Sequence, residues 1–350
     1  MRVLVTGHKG YIGTVLVPML LNAGHEVIGY DSDLYSESTF GDPSALVDVP
    51  EIVKDIRDAT LDDVRGVDAV MHLAGLSNDP LGDLNPDLTF EINHRASVKL
   101  AQLAKEAGVQ RFIFSSSCSN YGAAGDNWIN ENSALNPVTP YGQSKVMVER
   151  DVMPLADANF SPTFLRNATA FGVSPRLRFD LVLNNLVAWA FTTGRVFIKS
   201  DGSPWRPIAH IEDISRAFLA VLEAPRDQIH NEIYNIGRTE DNYQVRELAD
   251  IVHDTVPGCV IEYDPDGGPD KRCYRVNFDR VTKLLPSFKP VWDARKGAQE
   301  LYEAYQRVGL KLEDFEGDRY KRIAQIKHQM RTGRLGDDLR WTQPAAHAQP

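Results

Sequence analysis

Cysteine is scarce in this chain. Three are present, Cys118, Cys259 and Cys273, an odd number with no C-x-x-C pair. That pattern argues against a disulfide framework or a cysteine-built zinc cluster, and no metal is expected. Long apolar runs are missing too: none reaches the roughly 18 residues that a membrane-spanning helix requires. Met1–Val5 reads as a strand running into a glycine turn and lacks the basic, apolar and small-residue segments of a secretory leader, so a cytoplasmic protein is expected. Basic charge is in deficit, with 38 lysines and arginines against 48 aspartates and glutamates and a net charge of −10. Nucleic acid and anionic membranes are therefore not expected as partners. A small anionic ligand remains compatible, because a local arginine matters more than the global sum. No internal repeat or low-complexity tract is visible. What remains is an ordinary globular composition, 43% hydrophobic and 25% charged, over 350 residues. That length suits two domains, or one large domain with an elaborated end.

Through the first half, short apolar runs alternate with helical patterns. RVLV (Arg2–Val5), EVIGYD (Glu26–Asp31), VDAVMHLAG (Val67–Gly75) and RFIFSSS (Arg111–Ser117) read as strands. Tyr11–Ala23 and Ile92–Ala107 carry apolar residues at helical spacing, and Gly24 suits a C-cap. Strands alternating with such helices imply βαβ units, a parallel sheet and, with right-handed crossovers, a doubly wound (Rossmann) α/β fold. After about residue 170 the texture turns richer in turns and short strands. The expected organisation is a nucleotide-binding domain over 1–170, joined by a later strand near 232–237, and a smaller α/β substrate-binding domain over most of 171–342. A helix is expected near Val245–Val256, a loop at Tyr263–Asp270, helical spacing over Asp314–Arg334 and a frayed tail over 343–350.

The first strand leads into TGHKGYIG, with Gly7, Gly10 and Gly13 at G-x-x-G-x-x-G spacing, and a helix follows. Strand, glycine turn and helix together form the dinucleotide fingerprint: the glycines permit a tight turn and close approach to a pyrophosphate, which the helix N-terminus attracts. Tyr11 and Ile12 complete the loop. Asp31 lies 18 residues after Gly13, at the end of the second strand. A carboxylate there can hold both ribose hydroxyls and would repel a 2′-phosphate, so NAD is expected rather than NADP. Asp55 and Ile56, in DIRD, suit an adenine amine and an adenine face.

TPYGQSK places Tyr141 and Lys145 four residues apart, on one face of a helix. A free phenol has a pKa near 10, and bringing it to neutrality requires about 4 kcal/mol of preferential stabilisation of the anion. A lysine ammonium and an oxidised nicotinamide ring can supply parts of that, and the same lysine can hydrogen-bond the nicotinamide ribose. SSSCSNYG (Ser115–Gly122) offers hydroxyls just after a strand, where ligands gather in α/β sheets.

In this order, TGHKGYIG, Asp31, DIRD, HLAG, SSSCSNYG and YGQSK resemble the extended short-chain dehydrogenase/reductase family, and within it the nucleotide-sugar epimerases, reductases and dehydratases of the UDP-galactose 4-epimerase type. The resemblance runs from residue 1 to about 285. It implies a catalytic serine at Ser117, a general acid/base at Tyr141 with Lys145 as its partner, and a cofactor groove lined by Leu73, Ala74 and Gly75. It also assigns Asn93 to the cofactor region, where a family asparagine buttresses the active-site strand. RPIAHIEDI resembles a family segment whose arginine, here Arg206, grips the sugar-nucleotide diphosphate, with Asp213 structural. Asn184, Asn185 and Arg272 are further substrate candidates, and a homodimer through the helices around Asn93–Ala107 and Tyr141–Ala156 is implied.

Departures from the family pattern sharpen the expectation. Dehydratases place an Asp-Glu pair after the serine, where Cys118 and Ser119 stand here. The 3,5-epimerases place a cysteine at the position of Ser119, so Cys118 reads as a packed thiol. Thr169 replaces an asparagine in LRNAT, and FGVSPRLRFDL (Phe171–Leu181) is a variant specificity loop. The expected activity is C4-type epimerisation of a nucleoside-diphosphate sugar by oxidation, rotation and reduction. A ketoreductase acting on an NDP-4-keto sugar and a non-catalytic NAD sensor are the alternatives.

Overall fold

The computed structural model describes residues 1–267 and 273–343, with backbone alone at 123–126. Seven strands form one parallel sheet: β1 (Arg2–Thr6), β2 (Glu26–Asp31), β3 (Glu51–Val53), β4 (Ala69–His72), β5 (Arg111–Ser117), β6 (Ser161–Asn167) and β7 (Glu232–Ile236). Their order is β7-β6-β5-β4-β1-β2-β3, so the winding reverses between β1 and β4. That reversal opens a crevice at the carboxyl ends of the two strands. The doubly wound sheet expected from the sequence is therefore present, and smaller sheets and helices follow it along the chain.

Both faces of the sheet are covered, which explains the continuous apolar runs. Val3, Val5 and Met71 pack on one face with Leu16 and Leu20 of the helix Gly13–Asn22 and Phe218 of the helix Ile211–Glu223. Leu4, Val70, Phe112 and Phe114 face the other side with Leu100 of the helix Ala96–Glu106 and Val148 of the helix Pro140–Val152. A third cluster, including Phe179, Leu183, Leu248, Leu301 and Tyr305, forms the core of the later half.

Three elements differ from expectation. β6 was not legible as a strand, because it opens Ser-Pro and mixes polar residues with apolar ones; its seven residues are nevertheless all buried, between β5 and β7. The helix expected over 92–107 begins as a π-turn, Phe90–Arg95, before the α-helix Ala96–Glu106. The C-terminal pattern is interrupted at Gly317, between the helices Leu312–Glu316 and Arg322–Arg331. The second helix and the chain after it lie against the loop that follows β2: Arg334 pairs with Glu37, Gln329 donates to Leu34 O and Trp341 Nε1 donates to Ser32 O. No helix among the described residues is long and apolar enough to cross a membrane.

The helix Pro140–Val152 is joined to the sheet by a buried ion pair. Arg166 Nη2 donates to Glu149 Oε2 at 2.6 Å, and both side chains are 4% exposed or less. Ser116 Oγ and Asn120 Nδ2 also donate to Glu149, so the buried carboxylate is well satisfied. Glu149→Leu strands the Arg166 guanidinium without its partner and should cost about 3–5 kcal/mol of stability in denaturant unfolding. A negligible change would show that Arg166 finds another counter-charge.

Candidate active site

The crevice between β1 and β4 encloses about 390 Å³. Its floor is the glycine loop. Gly7 has φ +75°, and a Cβ on it would lie 2.8 Å from Ala74 N. A Cβ on Gly13 would lie 2.4 Å from Gly7 O and 2.5 Å from His8 Cα, so the loop closes on itself without side chains. The helix that starts at Gly13 presents its N-terminus beside the crevice wall formed by Gly10, Tyr11 and Ile12. Tyr11 is pinned from the far side, its hydroxyl donating to Gly172 O at 2.7 Å.

Asp31 stands at the end of β2 and accepts from Lys9 N at 3.0 Å and Asp33 N at 2.8 Å. Burial pushes its pKa up, and the nearby His8 opposes that. Leu73, Ala74 and Gly75 line the opposite wall, and Ile56 lines the same end. Asp55 lies there as well, but Arg57 takes its carboxylate through its backbone N, Nε and Nη2. Those bonds fix the orientation of the Asp55 carboxylate in the crevice wall. Asn93 does not reach the crevice lining. It accepts from Leu76 N and donates to Leu76 O and Ser144 Oγ, which fastens the loop after β4 to the helix Pro140–Val152.

At the other end Thr139 caps that helix, accepting from Gly142 N and donating to Asp79 Oδ1. Tyr141 and Lys145 both line the crevice with Ser117. Lys145 Nζ donates to Ser115 O at 2.7 Å, lies 4.6 Å from the Phe114 ring centroid and 5.8 Å from that of Tyr141. Burial lowers its pKa to about 8, with Glu149 opposing. Burial raises the Tyr141 pKa, a hydrogen bond with Ser117 lowers it, and the charges of Asp79 and Arg178 push it up and down respectively. The Lys145 ammonium is held beside the ring by the β5 backbone. Ser117 Oγ accepts from Ser119 N at 3.1 Å, which orients the hydroxyl. Cys118 is a packed thiol, donating to Arg166 O, with its pKa pushed up by burial.

The substrate candidates fare differently. Asn184 accepts from Gly172 N and donates to Tyr11 Oη and Arg178 O; Asn185 donates to Phe179 O. Both brace the 171–181 loop and are not among the residues lining the crevice. Arg206, on the strand Trp205–His210, donates to Trp205 O and also lies outside that lining. Asp213 accepts from Val291 N and Trp292 N, a structural role. Arg272 falls outside the described residues. Sequence reasoning missed Asn167, Arg178 and Asp180. Asn167, at the end of β6, donates to Ser115 Oγ, while its buried Oδ1 has no partner. Arg178 pairs with Asp180, which also accepts from Asn78. The alternation R-L-R-F-D was the available signal, but its meaning depends on where the loop folds.

Comparison with known proteins fits this geometry. Residues 3–237 match the model of the NAD dependent epimerase/dehydratase family. The chain belongs to that family. It is 31% identical over 335 residues to the UDP-glucose 4-epimerase of Pasteurella multocida, covering 86% of this chain and 95% of the relative. Among solved structures it resembles MoeE5 in complex with UDP-glucuronic acid and NAD, with 27% identity, a TM-score of 0.76 and coverage of 88% and 99%. It resembles DesIV, a dTDP-glucose 4,6-dehydratase from Streptomyces venezuelae, with 27% identity, a TM-score of 0.75 and coverage of 88% and 97%.

Buried Lys145 gives a pH test of the site. Its folded pKa of about 8 lies below the ordinary 10.5, so its charged form destabilises the fold below pH 8 and that penalty fades as pH rises to 10.5. The stability of Lys145→Met relative to the parent should therefore decline across that window, read as thermal midpoint against pH. A difference independent of pH would show that the ammonium is not desolvated.

Proposed function

We propose that the protein is an NAD-dependent epimerase that inverts C4 of a nucleoside-diphosphate sugar. The observation that carries the reading is the placement of Tyr141, Ser117 and Lys145 in one crevice with a tight glycine turn and the half-buried Asp31. The crevice residues suit the cofactor. A Cβ on Gly7 or Gly13 would strike neighbouring backbone, so only glycine permits this close turn at the crevice, and Asn167 Oδ1 is a buried acceptor without a partner. The loop 10–13 would hold the diphosphate, Asp31 the adenosine ribose, and Lys145 with Asn167 the nicotinamide end.

When bound, NAD supplies the hydride acceptor and donor that make epimerisation redox-neutral. The chain handles the proton. Tyr141 Oη takes the proton of the sugar hydroxyl and later returns it, while Ser117 Oγ donates to the oxygen that carries developing charge. The buried Arg178 guanidinium lowers the cost of an anion on Tyr141. Lys145, held by Ser115 O, adds positive charge behind the ring. The family also contains dehydratases, but the serine is followed here by Cys118 and Ser119 rather than an acid pair, and the Cys118 thiol is held neutral by burial. That favours epimerisation over elimination. The relatives named as UDP-glucose 4-epimerases, and MoeE5 with its UDP-glucuronic acid, support a UDP-sugar as substrate.

Tyr141→Phe should keep NAD affinity near that of the parent and lower interconversion of UDP-glucose and UDP-galactose by about 10²–10⁴-fold. Turnover that survives the substitution would remove the phenol from the chemistry. Asp31→Asn should weaken NAD and narrow the preference over NADP, measured as the ratio of the two dissociation constants. An unchanged ratio would show that this carboxylate does not read the ribose.

A further inference from the structure

Arg322, the first residue of the helix Arg322–Arg331, reaches the crevice from the far end of the chain. It is 2% exposed. Its guanidinium carbon lies 3.9 Å from the Tyr35 ring centroid, and Nη2 donates to Arg176 O at 3.0 Å. Its Nη1 is buried without a hydrogen-bond partner. Two more buried guanidiniums lie nearby, and each has a carboxylate: Arg176 has Asp33 and Arg178 has Asp180. Arg322 has none within ion-pairing distance among the described residues. Burial lowers its pKa to about 10, with Tyr35 and Asp180 opposing and Arg178 and Arg176 adding to the drop, so it remains a cation at neutral pH.

A desolvated cation with an unmade hydrogen bond is costly, and an oxyanion in the crevice would relieve that cost. The segment that carries Arg322 is itself well anchored. Arg319 donates to Glu37 O and Thr39 O, Arg334 grips the Glu37 carboxylate, and Leu339 lines the crevice beyond. These contacts hold the loop after β2, next to the carboxylate expected to read the ribose.

We propose that Arg322 is an oxyanion-binding residue, donating from Nη1 to a diphosphate in the crevice, and that the C-terminal segment is the strap that delivers it. The inference rests on the crevice being a nucleotide site. The cofactor and the nucleotide sugar both bring a diphosphate, so the chemistry is shared and the source is for experiment to separate. Guanidinium suits the task because its donors are planar, permanently charged and matched to phosphate oxygens.

Calorimetric titration of the full chain with NAD, UDP, adenosine and uridine decides it, comparing the parent with Arg322→Met. Loss of a charged hydrogen bond should weaken the diphosphate ligand by about tenfold or more and leave the nucleosides unaffected. Weakening of NAD alone assigns the cofactor's diphosphate; weakening of UDP alone assigns the sugar nucleotide's. Parent-like binding of both, or equal weakening of nucleosides and nucleotides, overturns the inference while leaving the epimerase reading intact. A parent that binds neither NAD nor UDP overturns both. If the methionine variant does not fold, a crystal structure of the parent with NAD and UDP decides. A phosphate oxygen in hydrogen-bonding contact with Nη1 upholds the assignment, and a water or carboxylate there removes it.

Discussion

Where the winding of the sheet reverses, between Arg2–Thr6 and Ala69–His72, two stretches of backbone come too close for a side chain to stand between them. Gly7 takes a left-handed conformation there against Leu73 and Ala74, and Gly13 packs on the carbonyls of Gly7 and His8. Everything functional follows from that approach. It brings a helix N-terminus to the mouth of the crevice, sets Asp31 within reach of Lys9 N, and leaves room for a diphosphate. A methyl group at either glycine would have to displace backbone, which a folded interior resists.

The other end of the crevice is governed by desolvation. Tyr141 is half-buried, Lys145 and the arginines near it are buried, and each pays for lost water unless a neighbour compensates. Glu149 compensates Arg166, Asp180 compensates Arg178, and a main-chain carbonyl compensates Lys145. Several buried polar atoms have no partner, and two of them, Asn167 Oδ1 and Arg322 Nη1, belong to residues that line the crevice.

The later half of the chain serves this arrangement chiefly by bracing. Asn184 and Asn185 hold the 171–181 loop so that Arg178 acts on Tyr141, and Tyr305 Oη donates to Asn184 O from the helix Ala294–Val308. The C-terminal segment crosses back to the loop after β2. Residues far apart in sequence thus act on one crevice, and a side chain can shape it without touching a ligand.

The motifs were legible because they are local: a glycine loop needs only its own turn, a Tyr-x-x-x-Lys pair only one helix, and an alternation of strands and helices only the sheet they build. So the doubly wound fold, the glycine cradle, Asp31, Ser117, Tyr141 and Lys145 could be read from residue order. The rest could not. Asn93 and Asn184 look like ligand contacts until their amides are seen bonded to neighbouring backbone and hydroxyl groups outside the crevice lining. β6 hides because burial between two neighbours, not its own pattern, makes it a strand. The places of Arg178 and Arg322 were decided by tertiary structure alone, since burial and the pairing of charges depend on which distant segments share an interior.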